Sequence, residues 1–408
     1  MAYTLISFVG TGIKKDGEYQ STRYVFPDKK EFETKKFAEA LLELKYRDFS
    51  KVIFVGTTTS AWEMFAEGND DLCMKLMEAR SNRSFSDDLK TELESYLSEK
   101  LQIPVVIKYH TDKIDEDTSL EIFNLYSSIV PEITDENILV DITHSFRSMP
   151  ILLYQAMRFS VSQNEKIKNV ELVYGEYTSD EKCSYVRNLS SYWKYSQITN
   201  AVSIFEEKLD GFALADLIEK DWESGSKAIK RFSEIVQTNF CLQIVEVSRQ
   251  LKNSLKKYPE NAPAYLDKVK SSVEKICKLI DSENKKLSLA LYEFSKFLYE
   301  HKLNIQAVIC LQVAVETAIC EKFASENHIG DYDWWKDYGQ NELRKIESEN
   351  KKDLKIPLMN LEYFRNQVAH GGAKNKDGNF PHAANIPGIY ASGLRGVKNL
   401  FEYLEKEL

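Results

Sequence analysis

The stretch Ile138-Leu-Val-Asp-Ile-Thr-His-Ser-Phe-Arg147 decides the fold class of the N-terminal half of the chain. It starts with a short apolar run, which predicts a strand over residues 138–143 that is buried in a sheet. The residues that follow predict a polar loop. In open α/β sheets, ligands bind beyond the carboxyl ends of the strands, so this loop is a candidate binding site.

Four more apolar runs resemble this strand and alternate with helical patterns. The alternation predicts a parallel, doubly wound, Rossmann-like α/β domain. The runs are residues 5–10, 52–57, 105–109 and 170–175, and the helical patterns are residues 30–45, 61–79 with an extension to residue 100, 119–129 and 149–161. Residues 19–26 and 183–188 predict extra strands, as hairpins at an edge of the sheet.

Three loops at the ends of these strands share small and hydroxyl-bearing residues, which can offer N–H and hydroxyl groups to a phosphate. Together they predict a site for an anionic ligand, although each loop alone is equally consistent with turn and capping residues. The first loop lacks the third glycine of a dinucleotide fingerprint, and no Walker A lysine follows it. The predicted ligand-binding residues are Gly10, Thr11, Gly12, Thr57, Thr58, Thr59, Ser60, Asp141, Thr143, His144, Ser145 and Arg147.

From about residue 197 onward the strand pattern stops and apolar residues recur at helical spacing. The sequence therefore predicts an all-α C-terminal half. The predicted helices are residues 202–218, 226–251, 264–280, 286–301, 305–326, 341–350 and 394–408, with a break at residues 258–263.

A second informative stretch, Leu361-Glu-Tyr-Phe-Arg-Asn-Gln-Val-Ala-His-Gly-Gly372, predicts a helix that ends at the glycines. It places Arg365 and His370 five residues apart, which is roughly 140° around an ideal helix. A histidine can take a proton from a ribose hydroxyl or give one to the leaving oxygen, and an arginine can stabilise charge on the phosphate. The two side chains meet only if the last turn loosens or a second copy of the helix packs against the first. The alternative is a helix end with one solvated arginine and one capping histidine.

Two further features surround this pair. Glu316 is a lone acid in an otherwise apolar helical segment, and it either pairs with a cation such as Arg365 or points to solvent. Between residues 365 and 398 the cations outnumber the single anion, Asp377, which predicts a locally basic patch that would attract an RNA backbone. The cations are Arg365, Lys374, Lys376, Arg395 and Lys398.

The 408 residues are enough for two or three domains with well-formed cores. The net charge of −9 argues against a protein that coats nucleic acid generally, and it leaves room for a local basic site. We expect neither a membrane span nor a signal peptide, because no apolar run of about 18 residues and no basic N-terminal segment is present. Six scattered cysteines without a CxxC pair predict reduced thiols in a cytoplasmic protein and no zinc site.

The chain resembles the accessory ribonucleases of type III CRISPR systems, which join a CARF sensor domain to a HEPN effector domain. Asp141-Ile-Thr-His-Ser145 is similar to the DxTHG motif of one branch of these sensors, with serine where glycine is usual. Arg365-Asn-Gln-Val-Ala-His370 is similar to the HEPN motif. The resemblance implies a CARF-like domain over residues 1–196, a helical connector over 197–284 and a HEPN-like ribonuclease domain over 285–408.

The resemblance also implies a function. Arg365 and His370 would be catalytic, with Asn366 assisting, in metal-independent cleavage of single-stranded RNA that leaves a cyclic phosphate. A cyclic oligoadenylate, such as cyclic tetra- or hexa-adenylate, would be the activator and would bind across a homodimer at the predicted ligand-binding residues. No metal or other cofactor is expected.

Three alternatives stay open at this point. The chain could be a nucleotide-sensing regulator without nuclease activity, although the presence of both Arg365 and His370 argues against that. The CARF half could also degrade its own activator, using His144 and the neighbouring threonines. An ordinary nucleotide-dependent metabolic enzyme would need a binding fingerprint that the sequence lacks. The ring size of the activator, the RNA sequence preference and any assembly beyond a dimer do not follow from the sequence.

Overall fold

A computed structural model describes residues 2–12, 14–15, 18–113, 115–144, 148–280, 286–324, 326–349, 351–369 and 385–406. The chain divides into two compact units, Met1–Tyr195 and Ser196–Leu408. The first unit combines a mixed sheet with helices, and the second is largely helical. The predicted fold class, a Rossmann-like α/β domain followed by an all-α region, is confirmed.

The described part of the N-terminal unit contains an eight-stranded sheet. Its strands are β1 (Ala2–Phe8), β4 (Thr22–Val25), β5 (Glu31–Thr34), β6 (Asp48–Thr57), β7 (Val105–His110), β8 (Asn137–Asp141), β9 (Asn169–Thr178) and β10 (Cys183–Asn188), while β2 (Lys14–Lys15) and β3 (Glu18–Tyr19) form a separate hairpin. The five predicted runs form the parallel part, in the order β9-β8-β1-β6-β7. Beyond β9 the sheet continues with β10, β4 and β5.

Helices cover both faces of this sheet, which explains why its central strands are apolar on both sides. The helices are α1 (Phe37–Glu43), α2 (Asp70–Ser81), α3 (Asp87–Leu101), α4 (Glu116–Ser127) and α5 (Ser148–Val161). Successive residues of a strand face opposite sides, so Leu5 packs in the core beneath α1, α2 and α3, and Ile6 packs in the core beneath α4 and α5.

Two predicted helices of this unit begin later than expected. Residues 31–34 form strand β5, because their backbone pairs with that of β4 in an antiparallel ladder, and α1 starts only at Phe37. The predicted helix over residues 61–100 is divided into a 3₁₀ segment (Trp62–Ala66), α2 and α3. The Asn69 and Ser86 side chains accept hydrogen bonds from backbone N–H groups and cap the starts of α2 and α3.

The remaining helices are α6 (Ser190–Lys208), α7 (Phe212–Ile218), α8 (Glu223–Thr238), α9 (Ile244–Leu255), α10 (Ala264–Ile280), α11 (Leu287–Glu300), α12 (Asn304–Phe323), α13 (Tyr332–Trp334), α14 (Gln340–Glu349), α15 (Ile356–Ala369) and α16 (Ile386–Lys406). The predictions of single helices over 202–218 and 226–251 are wrong. Leu209 and Asn239 have positive φ angles of 56° and 59°, which end α6 and α8.

Helix α12 is long and apolar enough to cross a membrane by composition, with a mean hydropathy of 1.2. However, 61% of its apolar window is buried within the C-terminal unit, where it packs against α11, α15 and α16. These contacts identify α12 as a core helix.

Helices α15 and α16 approach each other closely at two glycines of α16. A Cβ atom at Gly396 would lie 2.7 Å from Cβ of Pro357, and one at Gly393 would lie 3.2 Å from a methyl carbon of Leu361. The close contact therefore depends on the absence of side chains at these two positions.

Candidate functional sites

A cavity of about 740 Å³ lies beside the carboxyl ends of β1 and β8 in the N-terminal unit. Five of the predicted ligand-binding residues line it, namely Gly10, Thr11, Gly12, Thr143 and His144. The rest of the lining comes largely from β9, from the strands beyond it and from the start of α1, and includes Tyr24, Lys36, Tyr174, Tyr177, Lys182 and Ser184. Two of the three predicted loops therefore meet at one cavity.

The Gly10–Gly12 loop is fixed by a residue of α2. The Arg80 guanidinium donates a hydrogen bond to the Thr11 carbonyl and forms an ion pair with Glu63 at 2.7 Å. Gly12 has a φ angle of +70°, and a Cβ atom there would lie 2.3 Å from the ring of Tyr19. Only glycine fits this position without strain.

Asp141 is fully buried and does not line the cavity. Its carboxylate accepts hydrogen bonds from the Ser7 hydroxyl at 2.6 Å and from the Thr143 N–H at 2.8 Å. Burial raises the pKa of this carboxyl. Asp141 therefore anchors the loop that follows β8, and its side chain is enclosed behind the cavity lining.

Thr143 and His144 extend from this anchor into the cavity. The Thr143 hydroxyl accepts a hydrogen bond from the Gly175 N–H at 2.9 Å, and His144 Nε2 lies 3.0 Å from the Tyr24 hydroxyl. Burial lowers the pKa of His144 and raises that of Tyr24. A neutral imidazole and a protonated phenol therefore face the cavity. Ser145 and Arg147 lie outside the described residues.

The predicted loop Thr57, Thr58, Thr59 and Ser60 does not line the cavity and forms a turn that is hydrogen-bonded to itself and to the neighbouring strand ends. The Thr57 N–H donates to the Ser60 hydroxyl at 2.8 Å, and that hydroxyl donates to the Val9 carbonyl at 2.6 Å. The N–H of Ala61 donates to the Gly10 carbonyl at 2.9 Å. These bonds support the strand-end loop at Gly10 and use groups that we expected to meet a ligand.

The second candidate site lies on α15. The Arg365 guanidinium donates through Nη2 to Oε1 of Glu316 on α12, at 3.1 Å. The side chains of Arg365 and Glu316 are 34% and 25% exposed. The expected alternative in which Glu316 pairs with Arg365 is therefore confirmed. Asn366 is exposed beside Arg365, and His370 lies outside the described residues.

The carboxylate of Glu316 is held by two donors. Gln312, one turn earlier on α12, donates to the same Oε1 atom at 3.1 Å. Burial raises the pKa of Glu316, although the hydrogen bond from Gln312 and the charge of Arg365 act in the opposite direction. The pair is therefore a partly buried ion pair at the edge of the helical core.

Comparison with known proteins assigns the first of these sites to a family. Residues 4–181 match the family described as the CARF domain of the CRISPR system endoribonuclease Csx1. Residues 4–181 are similar to a CARF domain. This range contains every strand of the eight-stranded sheet except β10 and the first two residues of β1.

The chain is also similar to the CRISPR-associated protein MJ1674 of Methanocaldococcus jannaschii, with 22% identity over an alignment of 412 residues. The alignment covers 93% of this chain and 64% of that relative, so the chain spans less than two thirds of its length. The two matches support the resemblance found in the sequence, that of a CARF-containing accessory protein of type III CRISPR systems.

Sequence reasoning missed the residues that complete the CARF cavity. Tyr24 is 120 residues away from His144, and Arg80 is 69 residues away from Thr11. No motif joins either pair, and only the tertiary fold brings their residues together: the strand order for Tyr24 and His144, and the packing of α2 for Arg80 and Thr11. The alternation of the β4 segment indicated a strand but gave no sign of the strands beside it.

No group of three or more histidine, cysteine and acidic side chains that could hold a metal ion occurs in the described residues. The six cysteines are free thiols, and all except Cys73 are buried. The cations of the predicted basic patch that can be described are Arg365, Arg395 and Lys398. Arg395 is exposed, and Lys398 lies 3.9 Å from Glu402.

Proposed function

We propose that this chain is a metal-independent endoribonuclease of type III CRISPR defence that acts in the cytoplasm. Its CARF domain binds a cyclic oligoadenylate, and a HEPN-like site formed by Arg365, Asn366 and His370 then cleaves single-stranded RNA. Binding shifts two protomers relative to each other, and the helical connector passes this shift to the RNA site.

The CARF cavity supports the ligand part of the proposal. Backbone N–H groups of the Gly10–Gly12 loop and the hydroxyls of Thr143 and Ser184 suit a phosphodiester. The Tyr24, Tyr174 and Tyr177 rings that line the cavity suit purine bases, since aromatic side chains stack on any base. A volume of about 740 Å³ is in the range of small-molecule sites.

The observation that carries the ribonuclease part is the environment of Arg365. Its guanidinium is held by one carboxylate at a partly exposed position, directly beside the exposed amide of Asn366. A positioned arginine of this kind can bind a phosphate and stabilise the charge that develops on it during cleavage. His370 would move the proton to or from the reacting oxygen.

The outer face of α15 supports the homodimer. Ile356, Met359 and Tyr363 are 53%, 43% and 49% exposed, and they recur at helical spacing on the same face as Asn366. This face carries no charged residue, which suits contact with the same face of a second copy. Two facing helices would bring Arg365 and His370 of different protomers together, which one ideal helix does not do.

The test is cleavage of a labelled single-stranded RNA in EDTA, with cyclic tetra-adenylate, cyclic hexa-adenylate or no activator. We expect the wild type to cut with one activator only, and Arg365→Ala and His370→Ala to be inactive. Arg249→Ala is the matched control, because Arg249 is an exposed arginine of α9 paired with Glu246. Equal cutting without activator would contradict the switch. The absence of cutting with either activator would favour the regulator without nuclease activity.

One observation favours a second activity. The neutral imidazole of His144 lines the CARF cavity, where it could accept a proton from a ribose hydroxyl of the bound ring. Chromatography of the activator after incubation tests this. Linear products that form with the wild type and Arg365→Ala, but not with His144→Ala, would support degradation of the activator. An intact ring in all three samples would contradict it.

A further inference from the structure

The Arg365 guanidinium is attached to the rest of its unit by an acid 49 residues earlier in the chain. Glu316 lies on α12, and its Oε1 atom accepts from Arg365 and from Gln312, each at 3.1 Å. Gln312 is buried, and residues around it on α12 belong to the core. The carboxylate is thus fixed on the α12 side, so that it can define the position of a side chain that comes from α15.

A second acid lies closer to Arg365 in sequence but is already engaged. Glu362 precedes Arg365 by three residues on α15, and it accepts from Nη2 of Arg344 at 2.5 Å. The other terminal nitrogen of Arg344 binds Glu347 at 2.7 Å. Glu362 is therefore paired with Arg344, and the carboxylate that accepts the hydrogen bond from Arg365 is that of Glu316.

The bond to Glu316 leaves most of the guanidinium available. An arginine has five N–H donors, and the contact with Glu316 uses one of them, through a single nitrogen. A bidentate contact would occupy the edge of the guanidinium that recognises a phosphate. A contact through one nitrogen can hold the side chain in place and leave donors for the substrate.

We propose that Glu316 is a positioning residue of the ribonuclease site, which holds Arg365 in the orientation that the scissile phosphate requires. This inference rests on the proposed function. Glu316 does not touch the reacting atoms; it acts through Arg365. Its loss leaves the charge of Arg365 unchanged and allows the guanidinium to move.

The experiment measures activator-dependent RNA cleavage by the full chain carrying Glu316→Gln or Glu316→Ala, with kcat and KM determined separately. Glutamine keeps the size and one acceptor atom, so we expect about a tenfold loss in kcat. Alanine removes the contact, so we expect a loss of about 100-fold, the size of effect that a misplaced catalytic group produces. KM should change by less than about twofold, because the charge on Arg365 that attracts RNA is still present.

Glu321→Gln is the matched control. Glu321 lies on the same helix and accepts hydrogen bonds from the backbone N–H and hydroxyl of Ser288. Its replacement removes a comparable stabilising contact without touching Arg365, and kcat should stay within about twofold of the wild type. Thermal unfolding of all variants shows whether they remain folded. If the alanine variant unfolds, the glutamine variant alone decides, because its shape matches that of glutamate.

The outcomes separate the two proposals. If the wild type cuts RNA and Glu316→Gln loses activity mainly in kcat while Glu321→Gln does not, the positioning role is supported. If both Glu316 variants cut at the wild-type rate, the inference is wrong and the ribonuclease assignment stands. If they lose no more than Glu321→Gln does, Glu316 contributes to the fold alone. A wild type that does not cut RNA contradicts the proposed function itself.

Discussion

The CARF cavity and the Arg365 surface differ in how firmly a single chain holds their residues in place. Hydrogen bonds with Ser7, Tyr24, Arg80 and Gly175 fix the loops that line the cavity. At the second site one ion pair to Glu316 holds Arg365, and the neighbouring helix face is open. A site built in advance suits tight recognition of a ligand, whereas an open site suits control by a second copy of the chain.

The largest expected difference in local stability is between two alanine substitutions, one of Asp141 beside the cavity and one of Arg365 on α15. Asp141→Ala leaves the buried donors of Ser7 and Thr143 without their acceptor, so we expect local stability around β8 to fall by about 3 kcal/mol. Arg365→Ala removes a partly exposed pair, so stability around α15 should fall by less than about 1 kcal/mol while RNA cleavage is lost. Hydrogen exchange of peptides from each region, measured in the full chain, gives both values. Similar losses at the two sites would contradict the comparison.

A glycine-to-alanine substitution in each unit tests the same difference in stability, with a smaller expected effect. Gly12→Ala requires a left-handed backbone angle and a contact 2.3 Å from Tyr19, so we expect a loss of about 2 kcal/mol and weaker activator binding. Gly388→Ala on α16 is the matched control, because nothing lies within 4 Å of the added carbon. It should stabilise the helix by up to about 1 kcal/mol. Denaturant unfolding and calorimetric titration with the activator measure these effects.

The smallest predicted effect is a pH dependence of the CARF domain. Burial lowers the pKa of His110, whose ring bonds to the Tyr126 hydroxyl at 2.7 Å. The unfolded chain therefore binds a proton more readily than the folded one. The stabilisation is complete above the ordinary histidine pKa of about 6.5 and is lost as the pH falls towards the lower folded value, by at most about 1.4 kcal/mol per pH unit.

The measurement is the free energy of unfolding between pH 7.5 and pH 5.5, on the order of one unit either side of the histidine pKa. His110→Gln should make the free energy of unfolding of the CARF domain depend less steeply on pH. His301→Gln, at the C-cap of α11 in the C-terminal unit, controls for the loss of a histidine elsewhere. An unchanged slope in His110→Gln would show that another group sets the dependence.

The parallel part of the sheet could be predicted from the sequence because each buried strand is a short apolar run with its own boundaries. The helix ends at Leu209 and Asn239 could not, because a positive φ angle at a residue other than glycine leaves no clear local signal. Tertiary pairing with β4 made residues 31–34 a strand against their helical pattern.

Only some of the residues at the candidate sites could be placed from the sequence. Gly10, Gly12, Thr143 and His144, which were predicted to bind a ligand, lie together in the lining of one cavity. Asp141 and the loop at Thr57 hydrogen-bond to the backbone of neighbouring loops. A carboxylate or hydroxyl near a strand end can bind a backbone group as readily as a hydroxyl binds a phosphate, and the sequence does not distinguish the two. The pairing of Glu316 with Arg365 was one of two open alternatives, since a partly buried acid in an apolar helix needs a partner.

The glycines of α16 have a consequence for how the chain can change over time. The helix that carries Arg365 rests against Gly396 and Gly393, where Pro357 and Leu361 occupy the space that side chains would take. How closely α15 packs against α16 thus depends on the absence of a Cβ atom at these two glycines. A substitution at either position would push the arginine outward without altering any residue of the proposed ribonuclease site. Such a lineage would keep an intact motif and lose its activity, and inspection of the motif alone would not reveal the loss.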